Sequence, residues 1–201
     1  MKTYIVVIES LTALLQHRFA DAEEIDTATR KVHVKTKDPR EEAEKAAYRT
    51  AEGYLYVPGA AIARMIREAG AAHKQRGSRK SLKYVIPAAV LVPDEQIVLR
   101  DSEGAPLTEF EVDSRPVVIP STKGRVMRHR PRINPPWHLE FHLEIDDDTM
   151  EPSLVHQLLG EGGTKLGLLD YRPEKGGPFG KFSVVSWAFL DQTNIAKLAA
   201  D

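Results

Sequence analysis

The chain has 201 residues, 42% of them hydrophobic, and no cysteine. That is enough apolar material for a sizeable core, and it excludes a disulfide framework, a thiolate zinc site and a cysteine nucleophile. The formal charge is −1. No run of about 18 apolar residues is present to span a membrane, and Met1-Lys2-Thr3 leads into a β-branched run without a secretory cleavage pattern, so a soluble, cytoplasmic protein is expected.

Lys2 to Glu9 alternates with β-branched residues and reads as a buried strand. Leu11, Leu14 and Leu15 follow, before the polar Gln16-His17-Arg18. Residues 20–36 hold no clear period and read as a loop with a short strand at Lys31 to Val34. Asp38 to Arg49 has Pro39 just inside an Asp cap and acids in its first turn, the charge order a helix dipole favours. Its small apolar face predicts a surface helix.

Tyr54 to Val57 reads as a short strand, and Pro58-Gly59 opens the clearest helix. Ile62, Met65, Ile66, Ala69 and Ala72 fall on one stripe, with Arg64, Arg67 and Lys74 pointing away from it. Gln75 to Ser81 breaks that helix. Tyr84 to Val92 is an apolar run, and Gln96 to Arg100 and Glu109 to Ile119 are strand-like around a turn at Ser102-Glu103-Gly104. Arg125 to Ile133 and Trp137 to Ile145, flanking Asn134-Pro135-Pro136, are expected to pair as a hairpin. Trp137, Leu139, Phe141, Leu143 and Ile145 alternate with His138, Glu140, His142 and Glu144. Glu151 to Leu159 reads as a short helix and Phe182 to Leu190 as a last strand. This order predicts an α+β fold, an RRM-like or ferredoxin-like antiparallel sheet in one domain over 1–201, with insertions near 20–53 and 93–120.

Neutrality overall hides local asymmetry. From Arg64 to Val92 seven Lys and Arg stand against Glu68 alone, and Arg115 to Arg132 holds six basic residues and no acid. Two such segments folded onto one face would attract a polyanion. Gly160 to Phe182 adds seven glycines, the cations Lys165, Arg172, Lys175 and Lys181, and the aromatics Tyr171 and Phe179. Glycines let backbone N–H groups approach phosphates, and aromatics among cations stack bases. The segment is not a P-loop, because Phe182 follows Gly180-Lys181 and the loop enters a strand.

Tyr56-Val57-Pro58-Gly59 running into Ala60 to Arg67 resembles the strand, Pro-Gly turn and basic helix of the RAMP superfamily, the repeat-associated RNA-binding proteins of CRISPR effector complexes. Gly176-Gly177-Pro178-Phe179-Gly180-Lys181-Phe182 is similar to the glycine-rich loop that precedes that superfamily's last strand. Where members usually carry hydroxyl and glycine residues after the turn, this chain has Ala60, Ala61 and Ala63. The resemblance implies a subunit that assembles along guide RNA beside copies of itself and other effector subunits, with Pro93 to Pro120 as its thumb.

The expected ligand is single-stranded RNA, with single-stranded DNA as the alternative, held by phosphates and with no cofactor. His17 and Arg18 would meet it after the first strand, Arg64, Arg67 and Lys74 from the helix, and Arg125, Arg128 and Arg130 from the hairpin. Lys165, Arg172, Lys175 and Lys181 would clamp phosphates from the glycine segment while Tyr171 or Phe179 stacks. Catalysis, as a metal-independent endoribonuclease, would rest on His17, Asp21 or Asp26. His138 and His142, four apart on a strand and so about 13 Å apart, do not share a metal, and Asp146 to Asp148 read as a capping cluster. No constellation specifies an active site.

Overall fold

The computed structural model describes residues 1–19, 38–118 and 123–191. The expected strand at Lys31 to Val34 lies outside the described residues, as do Asp21 and Asp26.

A four-stranded antiparallel sheet in the order β4-β8-β1-β9 carries the core. Its strands are β1 (Lys2–Ser10), β4 (Val90–Leu91), β8 (His138–Ile145) and β9 (Phe182–Leu190). The chain leaves β1, crosses through α2 (Gly59–Ala69) and returns as β4, with β8 between the two; from β8 it crosses through α4 (Pro152–Glu161) to β9, with β1 between. In β8 the expected alternation holds: Leu139, Phe141, Leu143 and Ile145 are buried beside Tyr4, Val6 and Ile8 of β1. Against that face pack Ile62, Met65 and Ile66 of α2 and Val155, Leu158 and Leu159 of α4.

The helical stripe on α2 ends at Ala69, because the chain tightens into a 3₁₀ turn over Gly70–Ala72 and Ala72 is exposed. A side chain at Gly70 would collide with Ile86 at 2.3 Å, which ties this turn to the short helix α3 (Ile86–Ala89). Helix α1 (Pro39–Lys45) has the expected cap, Asp38 accepting from the Arg40 N–H at 2.9 Å. It is not a purely surface helix, since Ala43, Ala46 and Ala47 are buried.

A second sheet, in the order β2-β7-β6, stands beside the first. It contains β2 (Leu14–Leu15), β6 (Glu111–Val118) and β7 (Arg125–Ile133). This corrects the expected hairpin of Arg125 to Ile133 with Trp137 to Ile145: β7 pairs with β6 and β2, and β8 with β1 and β4. The cause is burial. Strand β8 has a continuous apolar row that only the core sheet can cover, whereas the first half of β7 exposes Arg125, Met127 and Arg128 and would put charge into that core. The segment after Pro93 is partly core as well. Strand β5 (Gln96–Val98) pairs with β3 (Tyr56–Pro58), and Leu55, Leu99 and Leu107 exchange backbone hydrogen bonds of 2.8 Å. What projects is the β6–β7 hairpin.

Candidate nucleic-acid interface

Gly160 to Phe182, expected to be loop, begins as helix: α4 runs to Glu161 and continues as a π-helical turn over Gly162–Leu166. Its glycines make room mainly for the chain's own atoms. A side chain at Gly163 would meet Phe182 at 2.6 Å, and one at Gly180, whose φ is +74°, would lie 2.2 Å from the Leu168 carbonyl oxygen. The end of the segment is stitched to the stretch after β1. Gly180 donates to the Ala13 carbonyl at 2.8 Å, Asp170 to that of Leu15 at 3.0 Å, and Lys181 to the Thr12 hydroxyl at 3.0 Å. Leu169 and Tyr171, on either side of Asp170, both adopt positive φ, 57° and 45°. Left-handed backbone at such residues costs roughly 1–3 kcal/mol each, and the packed surroundings hold it in place.

This stitching builds a cleft of about 310 Å³ lined by His17 and Tyr48, by Ala61, Arg64 and Glu68 of α2, and by Asp170, Arg172 and Glu174. Three of the expected ligand residues, His17, Arg64 and Arg172, thus meet from three distant stretches of chain. Each faces a carboxylate. His17 Nδ1 is 3.5 Å from Asp170 Oδ2. Arg172 donates from Nε and Nη2 to Glu174 Oε2 at 2.8 and 2.6 Å and from Nη1 to the Leu169 carbonyl at 2.5 Å. Arg64 Nη2 lies 3.6 Å from Glu174 Oε1.

Arg130 sits behind the cleft, its side chain 7% exposed, and bridges Asp170 at 2.5 Å and Asp113 at 3.6 Å. Asp113 is its cross-strand partner in the β6–β7 register and also accepts from Arg115 Nε at 2.8 Å. Burial alone would raise the Asp170 carboxyl, yet hydrogen bonds from His17 and Arg130, with the Arg130 charge, bring it down to about 2. Phe179 is buried, with the Arg115 and Arg132 guanidinia 4.7 and 6.0 Å from its ring centre. Tyr171 keeps an exposed ring 6.0 Å from that of Phe179.

The remaining expected residues lie apart from the cleft. Arg67 donates to Glu68 at 2.9 Å, and Glu68 also takes Lys83 at 2.8 Å. Lys165 pairs with Glu161 at 3.0 Å, and the Glu161 carboxyl is lowered to about 2 by hydrogen bonds from Gln157, Lys165 and His73. Lys74 is exposed beyond the α2 turn, Lys175 is exposed on a 3₁₀ turn, Lys181 is half-buried, and Arg18 donates its backbone N–H to the Ala46 carbonyl at 2.8 Å. Arg125 and Arg128 stand exposed on the outer half of the hairpin, opposite Val118 and Arg115 in register. Sequence reasoning named Glu68 only as the one acid of its segment and missed the other acids that answer the cations, Asp113, Asp170 and Glu174. It also missed Gln16, fully buried, whose amide bonds the Tyr56 carbonyl at 3.0 Å and the Tyr48 N–H at 2.8 Å. The readable signs were Asp113 two residues before Arg115 on one strand face and Glu174 two after Arg172.

Among the described residues there is no cluster of three or more potential metal ligands, and no helix long and apolar enough to cross a membrane. No family model and no curated protein matches the sequence. Among solved structures, a chain in the cryo-EM structure of the Type III-B Cmr-beta bound to cognate target RNA is similar, with a TM-score of 0.54 and 12% identity. The similarity covers 94% of this chain and 61% of that one, so this chain spans about three fifths of the length of its structural neighbour. The likeness is one of fold, an α+β arrangement with antiparallel sheets.

Proposed function

We propose that this protein is an RNA-binding subunit of a CRISPR-type effector ribonucleoprotein of the RAMP superfamily, holding single-stranded RNA by its phosphates. The observation that carries this reading is the meeting of α2, the glycine segment and the stretch after β1 at one cleft, with the arginine-bearing β6–β7 hairpin beside it. The strand order β4-β8-β1-β9, with two helical crossovers that each straddle a strand, supports an RRM-like sheet, read as one domain with insertions at 20–53 and 93–120. The fold shared with a chain of an RNA-bound Type III-B Cmr-beta supports the effector context. The face of β1 and β8 turned away from the helices carries Glu9, Glu140 and Glu144 with His138 and His142 and no Lys or Arg, a poor surface for a polyanion, so RNA is assigned to the cleft and hairpin side. There Arg64 and Arg172 hold phosphates from the cleft and Arg125 and Arg128 from the hairpin, with Lys175 beside Glu174 and Tyr171 stacking a base. The outer half of the β6–β7 hairpin serves as the thumb. The inner half is held by β2 and α1, and the outer half, with Arg125 and Arg128, is left to meet the RNA and a neighbouring copy along it.

Size-exclusion chromatography with single-stranded RNAs of increasing length, each followed by a denaturing gel, tests this. Intact RNA in stepwise larger particles is expected, and DNA of the same sequence should bind less well. Shortened RNA with particles of constant size would overturn the assembly reading in favour of an endoribonuclease.

A further inference from the structure

We propose that Glu174 is a built-in occupant of the phosphate seat between Arg64 and Arg172, and that a phosphate of the bound strand must displace it. This rests on the RNA-binding reading above and adds a residue that opposes binding.

One carboxylate lies between two guanidinium groups and gives each a different oxygen: Oε2 takes both Nε and Nη2 of Arg172, and Oε1 faces Arg64. A phosphodiester has the same single charge and two free oxygens, and the forked arginine edge accepts either group. The two arginines differ in freedom. Arg172 is 12% exposed and fixed by the Leu169 carbonyl, while Arg64 is 46% exposed at the cleft wall. Arg172 is therefore the fixed half of the seat and Arg64 the movable half. Glu174 rides on the 3₁₀ turn Pro173–Lys175, none of whose residues is buried, so its side chain can rotate out without repacking the core.

The other cleft acids are built differently. Glu68 is held by Arg67 and Lys83, and Asp170 by the buried Arg130 and by His17, so neither stands between two guanidinium groups of the cleft as Glu174 does. Glu174 stands where an external anion bridging Arg64 and Arg172 would stand. Such an occupant filters ligands: a lone small anion gains little by replacing it, whereas a strand already held at neighbouring phosphates delivers its next one at high effective concentration.

The test is fluorescence anisotropy of a labelled, unstructured 30-nucleotide single-stranded RNA with Glu174→Gln, alone and combined with Arg64→Ala. Glu174→Gln should bind about tenfold more tightly at physiological salt, with a log K against log salt slope steeper by about 0.7, one charge on a single strand. In the Arg64→Ala background most of that gain should vanish. Unchanged or weaker binding by Glu174→Gln at unchanged melting temperature would overturn the proposal, and so would a gain that persists in full without Arg64, which would be a general effect of removing an acid. Were Glu174→Gln to fail to fold, Glu174→Asp keeps the charge but draws it back from Arg64: a smaller gain would support the proposal and none would overturn it. If wild type itself fails to bind RNA at low salt, the RNA-binding reading falls, and this proposal with it.

Discussion

Arginines occur in both the cleft and the projecting hairpin, and the two regions use them in opposite ways. Around the cleft Arg64, Arg130 and Arg172 each meet a carboxylate supplied by a distant or neighbouring turn of the chain, and Arg130 meets two. On the outer half of the hairpin Arg125 and Arg128 form no ion pair among the described residues. Of the first kind, Arg130 is bound into the fold, while Arg64 and Arg172 share a carboxylate that an external anion must displace; charges of the second kind meet a polyanion with no such competitor. The difference can be broken by substitutions that read stability separately from binding.

The largest effect is expected at Arg130. Truncation to Ala removes the buried partner that Asp113 and Asp170 share and leaves them to Arg115 and His17, so the loss is expected at the lower end of what breaking a buried bridge costs, about 3 kcal/mol. Thermal unfolding should fall by roughly 10 °C; a melting temperature like that of wild type would mean the bridge holds nothing. Gly180→Val comes next. It forces a β-branched residue to positive φ and drives its Cβ toward the Leu168 oxygen, for a loss of at least about 1–3 kcal/mol in chemical denaturation.

A smaller effect is expected from acid. The Asp170 carboxyl is held at about 2 in the folded protein, below its ordinary 3.8, so the folded state binds this proton more weakly than the unfolded state. The stability it contributes is fully present above about pH 4 and is lost as pH falls toward 2. Allowing for its partial exposure, this is about 1–2 kcal/mol. Urea midpoints at pH 7 and pH 3 should show wild type losing more on acidification than Asp170→Asn; equal losses would remove Asp170 from the account. The smallest effect on stability belongs to the hairpin. Arg125→Ala with Arg128→Ala should stay within about 0.5 kcal/mol of wild type, yet reduce the RNA salt slope by about 1.4, two phosphates' worth on a single strand. Loss of stability with an unchanged slope would reverse the roles of the two regions.

How far these features could be read beforehand follows from their physical range. Period-based elements were legible: the α2 stripe through Ala69, the alternation in β8 and the extent of β9 depend on neighbours three, four or two residues away. The pairing of β7 was not legible, because strand partners are chosen by burial across the whole fold, and β8 was already enclosed between β1 and β4. The two basic segments were visible as charge, but a count along the chain assigned Arg64, Arg130 and Arg172 the same freedom as Arg125. Their compensating acids sit up to a hundred or so positions away, as Glu174 does from Arg64. The glycine segment was recognised as special, but its glycines are explained first by close packing against Phe182, Tyr171 and Leu168.

The central claim is that phosphates of a single strand are what this protein recognises. The most direct measurement is the affinity of wild type for an unstructured 30-nucleotide RNA between low and physiological salt. Three or more neutralised phosphates, at about 0.7 each, predict a log K against log salt slope of about −2 or steeper with little dependence on base sequence. A flat salt response, or no binding even at low salt, would contradict the account.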